Sequence, residues 1–192
     1  MSVRADAGPT IARMVRAMSA FWAARRAVSL VEFAMILPVA ITMYLGSYQI
    51  GDAITCNRRI TIATRAVADL VAQNATGTTT ASELDGDLSA VNLVLAPYSP
   101  TQAIVRITEV ATDSLGRTTV QWSRATNAKP YVKGSVATIP LTMRIPGTYF
   151  LFSEVTYAYT PAANFGFVNS MKLYDSLYMI PRNATSISCS DC

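Results

Sequence analysis

The chain contains no histidine. That removes the commonest general base and the hinge of the usual nucleophilic triads. What remains for chemistry is three cysteines and twelve carboxylates. Cys189 and Cys192 stand in the stretch CSDC, a C-x-x-C spacing that suits a redox motif, half of a metal site or a short-loop disulfide. With Cys56 as the only further thiol, a zinc site lacks ligands. No strand–helix pattern of the thioredoxin kind surrounds the pair. The expectation is a structural disulfide, joining Cys189 to Cys192 or one of them to Cys56. An odd count leaves one thiol over, and Cys56 is the expected one.

The acids are no more suggestive of catalysis. Glu83, Asp85 and Asp87 cluster in ASELDGD without the ligand spacing of a calcium loop, so a solvated turn is expected. Asn74 and Asn183 each begin Asn-Ala-Thr, a sequon short enough to arise by chance. Tyr149, Tyr157, Tyr159, Tyr174 and Tyr178 suit either a contact surface or, more commonly, the alternating core of a sheet. No catalytic, cofactor-binding or metal-ligating residue is expected, and the chain reads as a non-enzyme.

One carboxylate is out of place. In RRAVSLVEFAMILPVAITMYLGSYQI, residues 25–50, Glu32 stands near the head of an apolar run. Residues 33–50 carry no formal charge and span roughly 27 Å as a helix, close to the ~30 Å hydrocarbon core of a bilayer. An ionised carboxylate at the centre of such a helix costs about 2.5–3.5 kcal/mol on insertion scales, and less near the interface. Glu32 therefore either reaches the headgroups or meets a positive charge inside an assembly. A cut between Ala27 and Val28 would make Glu32 the fifth residue. The freed α-amino group of Val28 would then be such a charge, within reach of a neighbouring subunit's carboxylate.

Charge placement orients the run. Five arginines (Arg4, Arg13, Arg16, Arg25 and Arg26) and one acid, Asp6, lie in residues 1–27, and the rest of the chain is balanced. The net +4 thus lies ahead of the apolar run, which argues for an amino terminus on the cytoplasmic side and against a nucleic-acid partner. A cleaved secretory signal would have a shorter core and a small-x-small site after it. Phe21-Trp22 gives the basic leader an apolar patch, suited either to the membrane interface or to no more than a fraying helix.

The elements that position these residues follow from periodicity. In ITCNRRITIATRAVADLVAQN, Ile60, Ala63, Val67, Leu70 and Val71 recur at helical spacing, so an amphipathic half should continue the apolar helix and lay its stripe on a globular domain. The helix is expected from near residue 18 to about 74, bent locally at Pro38. QAIVRITEV and RTTVQWSRA, separated by ATDSLG, read as a hairpin. GSVATIPLTMRIP, FLFSEVTYAYTP and SMKLYDSLYMIP read as three more strands. The expected layout is a basic leader at 1–27, a transmembrane helix at 28–52 and an amphipathic extension at 53–74. A polar, irregular linker at 75–101 and an antiparallel β domain at 102–192 complete an α+β fold.

Basic residues, a small residue, then four residues before Glu at the head of a long apolar helix resemble the prepilin pattern of type IV filament proteins. More narrowly, RRAVSLVEFAMILPV is similar to the start of TadE/TadG-like proteins, minor pilins (pseudopilins) of the tight-adherence, Flp-type IVb pilus system of bacteria. NRRITIATRAVADLVAQ, with Arg65 at a recurrent arginine position, VQWSRA, YAYTP and YMIPR extend the resemblance over most of residues 25–182. The resemblance implies a pilin-like fold and a precursor in the inner membrane, with a single pass and a periplasmic β domain. A prepilin peptidase would cut between Ala27 and Val28, with Arg25 and Arg26 as the flank. Glu32 would dock the subunit. The implied partners are the lipid bilayer, the major and other minor pilins and the inner-membrane assembly platform, in a filament that serves surface adhesion and biofilm formation. The wider pattern usually has Gly before the cut, and here Ala27 stands there. A membrane-anchored periplasmic protein that is never processed or polymerised is the alternative.

Overall fold

The computed structural model describes residues 13, 14, 16, 18 and 25–192, the side chains of 25–27 excepted. The expectations placed on Arg4, Asp6 and Phe21-Trp22, and on the side chains of Arg25, Arg26 and Ala27, lie outside that description. The chain divides into two compact units, Met1–Tyr48 and Gln49–Cys192. Helix α1, Arg25–Ala72, contributes to both.

In the first unit α1 is apolar on every side. Val28, Leu30, Val31, Phe33, Met35 and Ile36 are all exposed, and none of the most apolar window is buried. Pro38 lies inside the helix, where its missing N–H leaves one carbonyl of the ladder without its usual donor. The Thr42 hydroxyl donates to Val39 O and so adds no free polar group to this surface.

In the second unit α1 packs a stripe. Cys56, Ile60, Ala63, Val67 and Val71 are buried at the spacing of one helical face. Leu70, expected on that stripe, is exposed instead. The buried positions run in adjacent pairs, Ala63–Thr64, Val67–Ala68 and Val71–Ala72, so the core face is centred between the members of each pair and Leu70, about 100° before Val71, falls outside it. The stripe shares a core with Val105, Ile107, Trp122, Leu151, Val155, Tyr157 and Tyr159 of the sheet. Burying each of these larger apolar side chains contributes roughly 1.5–3 kcal/mol.

The sheet has four strands: β2 (Ala103–Thr112), β3 (Thr118–Thr126), β4 (Tyr149–Tyr159) and β5 (Met171–Met179). Their order is β3-β2-β4-β5 and every pairing is antiparallel. Residues 113–117 close the β2–β3 hairpin, where the Asp113 carboxylate accepts from the Leu115 and Arg117 backbone N–H groups. A bulge at Glu109/Val110 shifts the register. Beyond it Val110, Val120, Ile139 and Phe150 form a second, smaller core. The layout is α+β, a long amino-terminal apolar helix and a four-stranded antiparallel sheet.

Two segments depart from expectation. Residues 75–101 are not an irregular linker. They hold β1 (Thr78–Thr79), α2 (Ala81–Ser89), α3 (Val91–Leu95) and a 3-10 turn at Pro100–Gln102. A capping box starts α2: Glu83 N–H donates to the Thr80 hydroxyl, and Thr80 N–H donates to the Glu83 carboxylate. Leu84, Leu88, Val91 and Leu95 are buried, so this polar-looking stretch carries a helical apolar stripe of its own. GSVATIPLTMRIP forms no strand. It lies along the edge of β3 at one isolated bridge, Thr119 to Val136, with Gly134 N–H donating to Val120 O, Val120 N–H to Ser135 O and Ala137 N–H to Thr118 O. It then makes a 3-10 turn at Leu141–Met143. Pro140 and Pro146 supply no N–H with which to extend a ladder.

Candidate functional site

The bond between Ala27 and Val28 lies within the helical span of α1. Val28 and Glu32 are one turn apart and share a face. Glu32 is exposed and makes no ion pair or side-chain hydrogen bond among the described residues. Its neighbours Leu30, Val31 and Phe33 are exposed as well. A helix that is apolar all round belongs in a bilayer or among other helices, and α1 is long and apolar enough to cross a membrane. Arg65 is exposed on the outer side of the second half.

The cysteines separate cleanly. Cys189 and Cys192 are joined in a disulfide, and Cys56 is a buried free thiol. Burial, then the nearby Asp52 carboxylate, pushes the Cys56 thiol up to about 11, which leaves little thiolate at neutral pH. The disulfide closes β6 (Ser188–Cys189), which pairs in parallel with β1. Asp191 between the two cysteines accepts from Ala81 N–H in the first turn of α2. Sulfurs bonded to each other offer no thiolate to a metal.

The acidic cluster is dispersed into structural roles. Glu83 belongs to the capping box. Asp85 takes two hydrogen bonds from Arg124, which hold its carboxyl below the usual range. Burial raises Asp87. The tyrosines divide by face: Tyr157 and Tyr159 lie in the core, Tyr174 is exposed, and Tyr178 stacks on Phe152 at 4.4 Å between ring centroids. Phe152 and Tyr178, with Tyr131, Val136 and Glu154, line a cleft of about 310 Å³. Glu154 there accepts from the Tyr131 and Tyr174 hydroxyls and pairs with Arg106, so its carboxylate is engaged and not poised as a base.

Three polar side chains, Glu109 and Gln49 buried and Asp52 half-buried, escaped the reading of the sequence. Glu109 is 2% exposed. Its carboxylate accepts from Trp122 Nε1 at 3.0 Å and from Ile187 N–H at 2.6 Å. Burial outweighs these two bonds and pushes it up to about 7. The signal was available, because period-two alternation places Glu109 on the face of Val105 and Ile107. Asp52 accepts from the hydroxyls of Tyr98 and Tyr159 at 2.8 and 2.6 Å. Gln49 binds the β4–β5 connection, residues 160–170, at four points. No local pattern announces Asp52 or Gln49, since their partners are distant in the chain.

Compared with known proteins, the chain matches no family model, no curated protein and no solved structure.

Proposed function

We propose that this chain is a minor pilin or pseudopilin of the TadE/TadG-like kind, made as a membrane-inserted precursor and cleaved before Val28. It joins a tight-adherence type pilus through the amino-terminal half of α1 and supports pilus assembly and surface adhesion. The observation that carries this reading is the contrast within α1. One half is predominantly apolar and exposed all round from Val28 to Tyr44; the other half lays a single stripe on the sheet. The first half needs an apolar environment from outside the chain, and Glu32 within it needs a positive partner from outside as well. A neighbouring subunit's freed amine supplies that charge, and neighbouring pilin helices or lipid supply the apolar surroundings. The helical first turn leaves Glu32 on the side of Val28, the geometry such docking uses.

The partners on this reading are a prepilin peptidase, the other pilins, the inner-membrane assembly platform and the bilayer. The experiment is mass spectrometry of the chain from cells with and without the prepilin peptidase. An amino terminus at Val28 that depends on the peptidase supports the pilin. An unprocessed chain in cells with working peptidase supports the plain membrane anchor instead.

A further inference from the structure

The β4–β5 connection reads TPAANFGFVNS, residues 160–170, and no charged residue occurs between Glu154 and Lys172. It is tied to α1 by one side chain. Gln49 Nε2 donates to Ala163 O and Val168 O at 3.1 Å, and its Oε1 accepts from Phe167 N–H and Val168 N–H at 3.2 Å. Both amide protons and both acceptor positions are used. The loop is thereby fixed at the level of residue 49 on the helix. Gly166, at φ 84°, makes a turn that residues with a Cβ rarely adopt. Phe165 and Phe167 flank it, 42% and 50% exposed.

Gln49 lies near the end of the uncharged run that begins at Phe33, and Asp52, three residues on, is the first charge after it. The Asp52 carboxylate is held by the Tyr98 and Tyr159 hydroxyls, so the nearest charge is tied into the sheet domain. We infer that the 160–170 loop is a membrane-docking element. Phe165 and Phe167 enter the interfacial zone of the leaflet where α1 emerges, and seat the sheet domain on the lipid. The inference rests on the reading of α1 as a membrane anchor. Lipid is the occupant because the loop's depth is set beside the end of the apolar run, and because its exposed side chains are aromatic, small or amide, with no charge for a protein partner to pair.

The test uses the full chain reconstituted in phosphatidylcholine vesicles. An NBD fluorophore is attached to Phe165→Cys or Phe167→Cys, with Leu115→Cys on the β2–β3 turn and Met43→Cys in the apolar run as references. Cys56 is buried and Cys189 and Cys192 are bonded to each other, so labelling is selective. Shallow lipid-borne nitroxides should quench the labels at 165 and 167 by about two-fold or more over that at 115, with matching protection from iodide. If 165 and 167 behave like 115 while 43 is quenched in the bilayer, the docking inference fails and the anchor stands. If 43 is also unquenched, the anchor reading fails and takes the inference with it. Protection that follows the number of chains per vesicle, and ignores the lipid nitroxide, assigns the loop to a second copy and overturns the inference.

Discussion

Ile36 and Ile60 lie on the same helix, yet the first is 63% exposed and the second wholly buried. The two glutamates of interest divide the same way. Glu109 sits among apolar side chains with two donors from its own chain, whereas Glu32 has no such partner among the described residues. Apolar surface and a carboxylate are reconciled internally in the sheet domain. In the first half of α1, on the proposed reading, both are left for another molecule to reconcile. A fold that spends Leu84, Leu88 and Leu95 on closing one face of two short helices does not leave a long apolar run uncovered without an environment for it.

The largest effect should come from Glu32→Ala. It leaves membrane insertion intact or improved and abolishes incorporation into the assembly, read by co-purification of subunits with sheared filaments. Normal incorporation would break the contrast, because Glu32 would then need no outside charge.

Next comes a matched pair on α1. Ile60→Ala should destabilise the detergent-solubilised chain by about 2–5 kcal/mol, while Ile36→Ala should stay within about 0.5 kcal/mol. Urea unfolding followed by tryptophan fluorescence separates them, since Trp122 lies in the core that Ile60 helps to form. Equal losses would mean that the two halves do not differ in the way described.

Glu109 sharpens the comparison through pH. Its folded value lies above its ordinary 4.5, at about 7, so the folded chain keeps a proton that the unfolded chain releases. That stability is fully present below pH 4.5 and is lost as pH rises toward 7, by roughly 3 kcal/mol in all. Glu109→Gln should flatten this part of the unfolding profile. A wild-type slope that survives the substitution would assign the titration elsewhere.

The smallest effect is Thr80→Ala, which removes the cap of α2 and should cost about 1 kcal/mol in the same unfolding assay. No loss would mean that α2 is held by Leu84 and Leu88 alone.

Legibility followed the range of the interactions. The Ile60–Ala63–Val67 stripe, the β2–β3 hairpin and strands β4 and β5 were readable because period and composition are local. The helices α2 and α3 were hidden by a Gly- and Thr-rich surface, although Thr80 and Glu83 spelled the capping box and Leu84, Leu88, Val91 and Leu95 the stripe. GSVATIPLTMRIP has the β-branched residues of a strand, but Pro140 and Pro146 supply no N–H and its pairing with β3 stays confined to residues 134–137. Of the candidate site, the spacing from Val28 to Glu32 stands in the sequence itself, and the structure adds that both lie on one helix, one turn apart. Gln49 was not, because nothing in its own neighbourhood points to residues 163–168.

The most direct measurement is carbodiimide coupling in purified filaments, followed by mass spectrometry of the peptide that carries Glu32. The account predicts an amide link from the Glu32 carboxylate to the α-amino group of an adjacent subunit. Filaments in which this chain begins at Val28 while Glu32 couples to no amine, or only to lysine side chains, would contradict it.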